Sequence, residues 1–359
     1  MKPFKALLLA IVFASSTHAA AQTPLPLHIG GRVATTSDGK QPIYRYQWPA
    51  VYFEAAFEGS EVSVRVADDT NRLRILVDGQ PSAVLDRPGT VEHKIANLTE
   101  GRHTIRLEKL TESQNGTGTF EGFYIPASGK ALPSPSRPRQ IEFVGDSDMV
   151  GYGNTSATRE CTDEQLFLST DSQKAYGALV ANRFNADYQV NAYSGIGVVR
   201  NYESTKPDMS MTSLYPRVLF DSPIVYKNEA WKPQIIVVGI GANDFVPAVK
   251  SDGRWKNQQA LRKDFDKAYA DFLRMLRKKN PNAFILLFVL ESYDTNYAAG
   301  NHLALKTMQE EGDKRIHLLA YPTVEITACH WHPSLKDHEA LADTINAYVE
   351  AHPELWQGR

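Results

Sequence analysis

The chain has 359 residues, 42% of them hydrophobic, with 39 Lys or Arg against 41 Asp or Glu and a formal charge of −2. A near-neutral chain of ordinary apolar content can bury a sizeable core, and it has no charge excess that would suit nucleic acid or an anionic membrane surface. Its length exceeds one typical domain, so two are expected.

Residues 1–21 read as an export signal. Lys2 and Lys5 give a positive start, Ala6 to Ala14 is a short apolar core, and Ala19-Ala20-Ala21 offers a cleavage site before Gln22. The apolar run is too short to span a bilayer, and no later stretch is longer. A periplasmic or extracellular protein without a membrane partner is therefore expected.

Residues 22–130 read as an all-β domain. Residues 51–57 and 61–67 are rich in strand formers, and in the second run Val62, Val64 and Val66 alternate with Ser63 and Arg65. Residues 73–77 run into Asp78-Gly79, a hairpin signal. Residues 103–109 alternate again, and 118–125 close the set. Many short strands at this spacing suggest a sandwich of jelly-roll type. Residues 131–139 are proline-rich and read as an extended linker.

From residue 140 to 359 strands and helices alternate, which predicts a parallel sheet covered by helices. Strands are expected at 141–144, 188–192, 234–238, 283–289 and 316–319. Helices are expected at 174–184, 258–279 and 335–350, each with apolar residues three and four apart. In such sheets ligands bind beyond the carboxyl ends of the strands.

Four segments fall there. Gly145-Asp146-Ser147 follows the first strand, Ser194-Gly195 the second, and Gly241-Ala242-Asn243-Asp244 the third. Cys329-His330-Trp331-His332-Pro333-Ser334 precedes the last helix. A serine hydroxyl is a poor nucleophile unless a base takes its proton. His332 can do so, because imidazole titrates near neutral pH and can later protonate a leaving alcohol. The order of these blocks resembles the SGNH (GDSL-type) hydrolases over roughly residues 140–350. The preceding sandwich, Gly151-Tyr152-Gly153-Asn154 and Trp331-His332-Pro333-Ser334 narrow the resemblance to carbohydrate esterase family 2. It implies a jelly-roll domain ahead of an α/β/α SGNH domain, removal of acetyl groups from sugars, and no cofactor or metal. By the same resemblance Ser147 is the nucleophile and His332 the base. The oxyanion donors are the Ser147 and Gly195 backbone N–H groups and the Asn243 amide.

The sequence departs from that pattern in one place. The orienting acid expected three residues before the histidine is Cys329, and the one expected two before is His330. A Ser-His dyad is therefore predicted, with the His330 main-chain oxygen orienting His332. The absent acid also leaves open a carbohydrate-binding protein with a degenerate catalytic domain; an esterase or lipase for non-sugar esters is a third reading. Asp146 and Asp244 read as loop braces. His330, His332 and His338 match zinc spacing poorly. Trp331 and Tyr152 are expected as sugar contacts. Cys161 and Cys329, the two cysteines, are expected to form a disulfide.

Overall fold

The computed structural model describes residues 22–37, 39, 41–249 and 253–357. The export signal read at 1–21 lies outside them.

The first half of the chain is built from short strands: β1 (Gln22–Pro24), β2 (His28–Gly30), β3 (Val33–Ser37), β4 (Pro42–Tyr46), β5 (Tyr52–Glu58), β6 (Val62–Asp68), β7 (Arg72–Val77), β8 (Gln80–Asp86), β9 (Gly89–Ile95), β10 (Arg102–Lys109), β11 (Gly118–Pro126) and β12 (Lys130–Leu132). One antiparallel sheet runs β3-β4-β11-β6-β9 with β1 beside β11. The other runs β12-β5-β10-β7-β8 with β2 beside β5. The two enclose Phe53, Phe57, Val64, Val66, Ile75, Leu107, Phe120 and Phe123, all buried, which makes a jelly-roll sandwich. The Asp78-Gly79 hairpin joins β7 to β8, both residues at positive φ (52° and 74°), as a two-residue turn with right-handed strand twist requires. The segment read as a linker differs at its start. Ala131 and Leu132 pair with Phe57 and Ala56, because the edge of that sheet offers unpaired backbone groups.

The second half holds five parallel strands: β13 (Arg139–Gly145), β14 (Ala186–Ala192), β15 (Ile235–Gly239), β16 (Phe284–Val289) and β17 (Ile316–Ala320), in the order β14-β13-β15-β16-β17. The helices are α1 (Ser147–Val150), α2 (Asp163–Ser169), α3 (Tyr176–Arg183), α4 (Met211–Leu214), α5 (Gln258–Lys279), α6 (Thr295–Glu310) and α7 (Leu335–Ala351). Helix α5 starts at the Asn257 cap, whose side chain accepts from the Ala260 N–H. Helix α6 carries no clean apolar stripe, since Gly300 and Asn301 are among its buried positions. Gly300 is required there because a Cβ would stand 2.5 Å from the Phe265 ring.

The two halves meet through buried polar side chains. Arg32 pairs with Glu142 of β13 at 3.0 Å, neither side chain reaching solvent, and its guanidinium lies over the Tyr215 and Tyr226 rings. Glu54 holds Arg106 and Arg137, each at 2.7 Å. Arg137 and the Tyr52 hydroxyl also reach Asp187 of β14. Charges this deep persist only when paired, so the sandwich is fastened to the two strands that lead into the site.

Candidate active site

Gly145, Ala192 and Gly239 end adjacent strands in register, and the loops beyond them carry Ser147, Gly195 and Asn243. Ser147 is the first residue of α1 rather than its cap. Asp146 caps the helix, its carboxylate accepting from the Asp148 N–H at 3.3 Å. Gly145 leaves no room for a side chain, since a Cβ would meet the Gly239 oxygen at 2.7 Å. The serine is thus placed at a sharp strand-to-helix turn.

Gly195 adopts φ +79°, and a Cβ there would meet nothing nearer than Tyr202 at 3.8 Å. The glycine is needed for its left-handed backbone, not to clear space within the protein. The loop beyond it is held by Asp244, which accepts from the N–H groups of Val198, Val199 and Arg200 at 2.8 Å each. Burial pushes the Asp244 carboxyl up to about 7 despite those donors. Asn243 donates its amide to Asp146 Oδ2 at 3.1 Å and to the Ile196 oxygen at 3.0 Å. Both amide N–H groups are thus engaged within the protein, and any further acceptor would displace one of these partners. Burial, then repulsion from Asp148, holds the Asp146 carboxyl well above the usual carboxylate range.

His332 lies on a turn outside any strand. Its Nδ1 faces the main-chain oxygens of Cys329 at 3.0 Å and His330 at 3.1 Å. Both groups only accept, so Nδ1 carries the proton and Nε2 presents its lone pair. The Tyr152 ring packs against the imidazole, centroids 4.3 Å apart, and the Tyr152 hydroxyl bonds His330 Nδ1 at 2.9 Å. Tyr152 therefore stands behind the histidine rather than as an open platform. Asp148, adjacent to Ser147 in sequence, accepts from the Tyr321 hydroxyl at 3.1 Å. Burial raises its carboxyl and the His332 charge opposes that rise. His338 is buried; its Nδ1 accepts from the Tyr176 N–H at 3.3 Å, and burial drives it down to about 3. Among the described residues no group of three or more His, Cys, Asp or Glu is placed to hold a metal ion. Cys161 and Cys329 are joined in a disulfide.

Trp331 is 57% exposed. Two aromatic residues that the sequence did not single out are also exposed: Tyr202, on the loop after Gly195, and Tyr293, on the loop after β16. Single exposed tyrosines have no sequence signature, so only the fold draws attention to them. A cavity of about 100 Å³ adjoins Gly195, lined by Gln114 of the sandwich with Tyr193, Ser194, Ile196, Asn201, Thr205 and Lys206.

This fold, with a serine, a glycine, an asparagine and a histidine on loops of its carboxyl-terminal edge, defines a class: ester hydrolases of the GDSL type. Residues 29–135 match the family model described as carbohydrate esterase 2 N-terminal, and residues 143–354 that of the GDSL-like lipase/acylhydrolase family. The chain is 44% identical over 360 residues, 99% of its length and 100% of the relative's, to an acetylxylan esterase / glucomannan deacetylase of Cellvibrio japonicus (strain Ueda107). Its structure resembles that of a carbohydrate esterase whose active site is described as having divergent catalytic and non-catalytic binding functions. There the TM-score is 0.88 and the identity 43%, over 93% of this chain and 100% of that one. A family two carbohydrate esterase from Clostridium thermocellum, in complex with cellohexaose, gives a TM-score of 0.79 at 26% identity, over 92% of this chain and 100% of that one. The chain belongs to carbohydrate esterase family 2, and it is a carboxylic ester hydrolase.

Proposed function

We propose that the protein is an exported, metal-independent O-acetylesterase that removes acetyl groups from plant-type polysaccharides or oligosaccharides such as xylan or glucomannan. The observation that carries this reading is the placement of Ser147, Gly195 and Asn243 on the loops beyond three adjacent strand ends, together with a His332 whose Nδ1 faces two main-chain oxygens and the exposed rings of Trp331, Tyr202 and Tyr293. Exposed rings suit the flat faces of sugars in an open chain. The Cellvibrio japonicus relative is named for the same substrate class.

In this reading the Ser147 hydroxyl attacks the acetyl carbonyl while His332 Nε2 takes its proton. The oxygen of the tetrahedral intermediate is stabilised by the Ser147 and Gly195 N–H groups and by Asn243, each such donor contributing roughly 3–4 kcal/mol. His332 returns the proton to the departing sugar hydroxyl, leaving acetyl-Ser147. It then deprotonates water, which releases acetate and restores the serine. The two carbonyls at His332 Nδ1 set the tautomer and ring angle that an acid sets in a triad, so the catalytic pair acts as a dyad.

Acetate release from acetylated xylan, glucomannan and small aryl acetates, with and without Ser147→Ala, tests the reaction. Release that survives the substitution refutes it, and loss of activity on chelation refutes metal independence. Retained sugar binding without any acetate release favours a binding protein with a degenerate site. Export is checked by N-terminal sequencing of the secreted or periplasmic protein, which should begin at Gln22.

A further inference from the structure

The dyad lacks an acid that would hold His332, and the turn bearing it contains two consecutive residues in left-handed backbone, His330 (φ 52°) and Trp331 (φ 58°). Such residues persist only where surrounding contacts over-determine them. Those contacts come mostly from one irregular segment, residues 152–161, which follows α1. The Arg159 oxygen accepts from the His330 N–H at 2.7 Å. The Cys161 oxygen accepts from His330 Nε2 at 3.0 Å, which leaves His330 Nδ1 to accept from the Tyr152 hydroxyl. The Arg159 side chain reaches past the turn to donate to the oxygens of Ile326 at 2.9 Å and Glu325 at 3.0 Å. Cys161 is bonded through sulfur to Cys329. Gly153 closes the arrangement, because a Cβ there would stand 2.5 Å from the Cys329 Cβ.

Both carbonyls that accept from His332 Nδ1 thus belong to residues this segment grips, Cys329 by the disulfide and His330 by three hydrogen bonds. We propose that residues 152–161 are a strap that does the orienting work of the missing acid, with Arg159, Cys161 and the His330 ring as positioning residues for His332. The inference rests on the dyad reading. It goes further in assigning the orientation of the base to a segment that begins next to the nucleophile helix, so that α1 and the histidine turn move as one unit.

The test compares the full-length enzyme with a Cys161→Ser/Cys329→Ser double variant and with Arg159→Ala, each made alone and in a His332→Ala background. The native enzyme is also reduced with a phosphine and reoxidised, in case the double variant does not fold. A strap predicts that kcat falls about 10- to 100-fold, the scale of a small misplacement of a catalytic group, while KM stays within about twofold. Activity returns on reoxidation. In the His332→Ala background the same substitutions have no further effect, because they act through that residue. Unchanged kcat in the disulfide-free and Arg159→Ala enzymes overturns the strap and leaves the dyad standing. Equal losses with and without His332 reduce the segment to general support and also overturn it. A His332→Ala enzyme with full activity removes the dyad itself.

Discussion

The two sides of the site are built differently. Ser147, Gly195 and Asn243 extend from adjacent parallel strands whose register is set by ladder hydrogen bonds, and two of those strands are fastened from behind by the sandwich through Arg32–Glu142 and Tyr52–Asp187. His332 has no strand beneath it. It depends on a bridge between Ala328 and His332, two main-chain acceptors, a packed tyrosine and a disulfide-anchored segment. In the proposed reaction, oxyanion donors must meet a developing charge at fixed distances, which suits rigid strand ends. A base must face both serine and leaving group, which asks for ring orientation more than for a fixed backbone element.

The sharpest break of this contrast is chemical. Ser147→Ala and His332→Ala should each lower kcat by about 10⁴ or more with little change in KM, read as acetate release. On the sheet side, Arg32→Ala leaves Glu142 buried without its partner and should cost about 3–5 kcal/mol of stability; denaturant melts would show a lower midpoint while specific activity of the folded fraction holds. Asn243→Ala should lower kcat by about 10²–10³, and a smaller loss would mean that Asp146 keeps the amide occupied during the reaction.

Glu54 gives a pH-dependent test of the same seam. Burial alone would raise its carboxyl, but the hydrogen bonds and charges of Arg137 and Arg106 outweigh this and hold it at about 2, against 4.5 for the free side chain. A depressed carboxyl adds stability above its unfolded pKa and loses it as pH falls through the folded one. The advantage over Glu54→Gln should be on the order of 3 kcal/mol at pH 7 and shrink as pH falls from about 4.5 to about 2. A gap that stays constant over that window would show that the pair contributes packing alone. The smallest effect is expected at His330→Ala. Its main-chain oxygen still orients His332, so only the strap's hold on the ring is lost, and kcat should fall by roughly tenfold, far short of the ~10⁴ seen when a triad acid is replaced.

Most of the catalytic half was legible in the sequence because its elements carry strong periodicity. Helix α5 runs over Gln258–Lys279, the span its apolar spacing predicts, and each expected parallel strand is present with its ends within two residues of those expected. Strands β8 and β9 were not legible, since alternating exposed and half-buried positions give little apolar signal. Helix α6 was hidden because it packs through a glycine and an asparagine.

The sequence by itself determined which chemistry the chain carries: a serine, a glycine, an asparagine and a histidine, each beside a strand end or a helix start, and no acid ahead of the histidine. Those are local facts, written in residue type and order. Only the tertiary structure decided how the histidine is held. The carbonyls of Cys329 and His330, the ring of Tyr152 and the segment around Arg159 and Cys161 come together across more than 160 positions of chain. Main-chain oxygens, which every residue carries, leave no mark in a sequence, so the partners of the His332 ring could not be read from it.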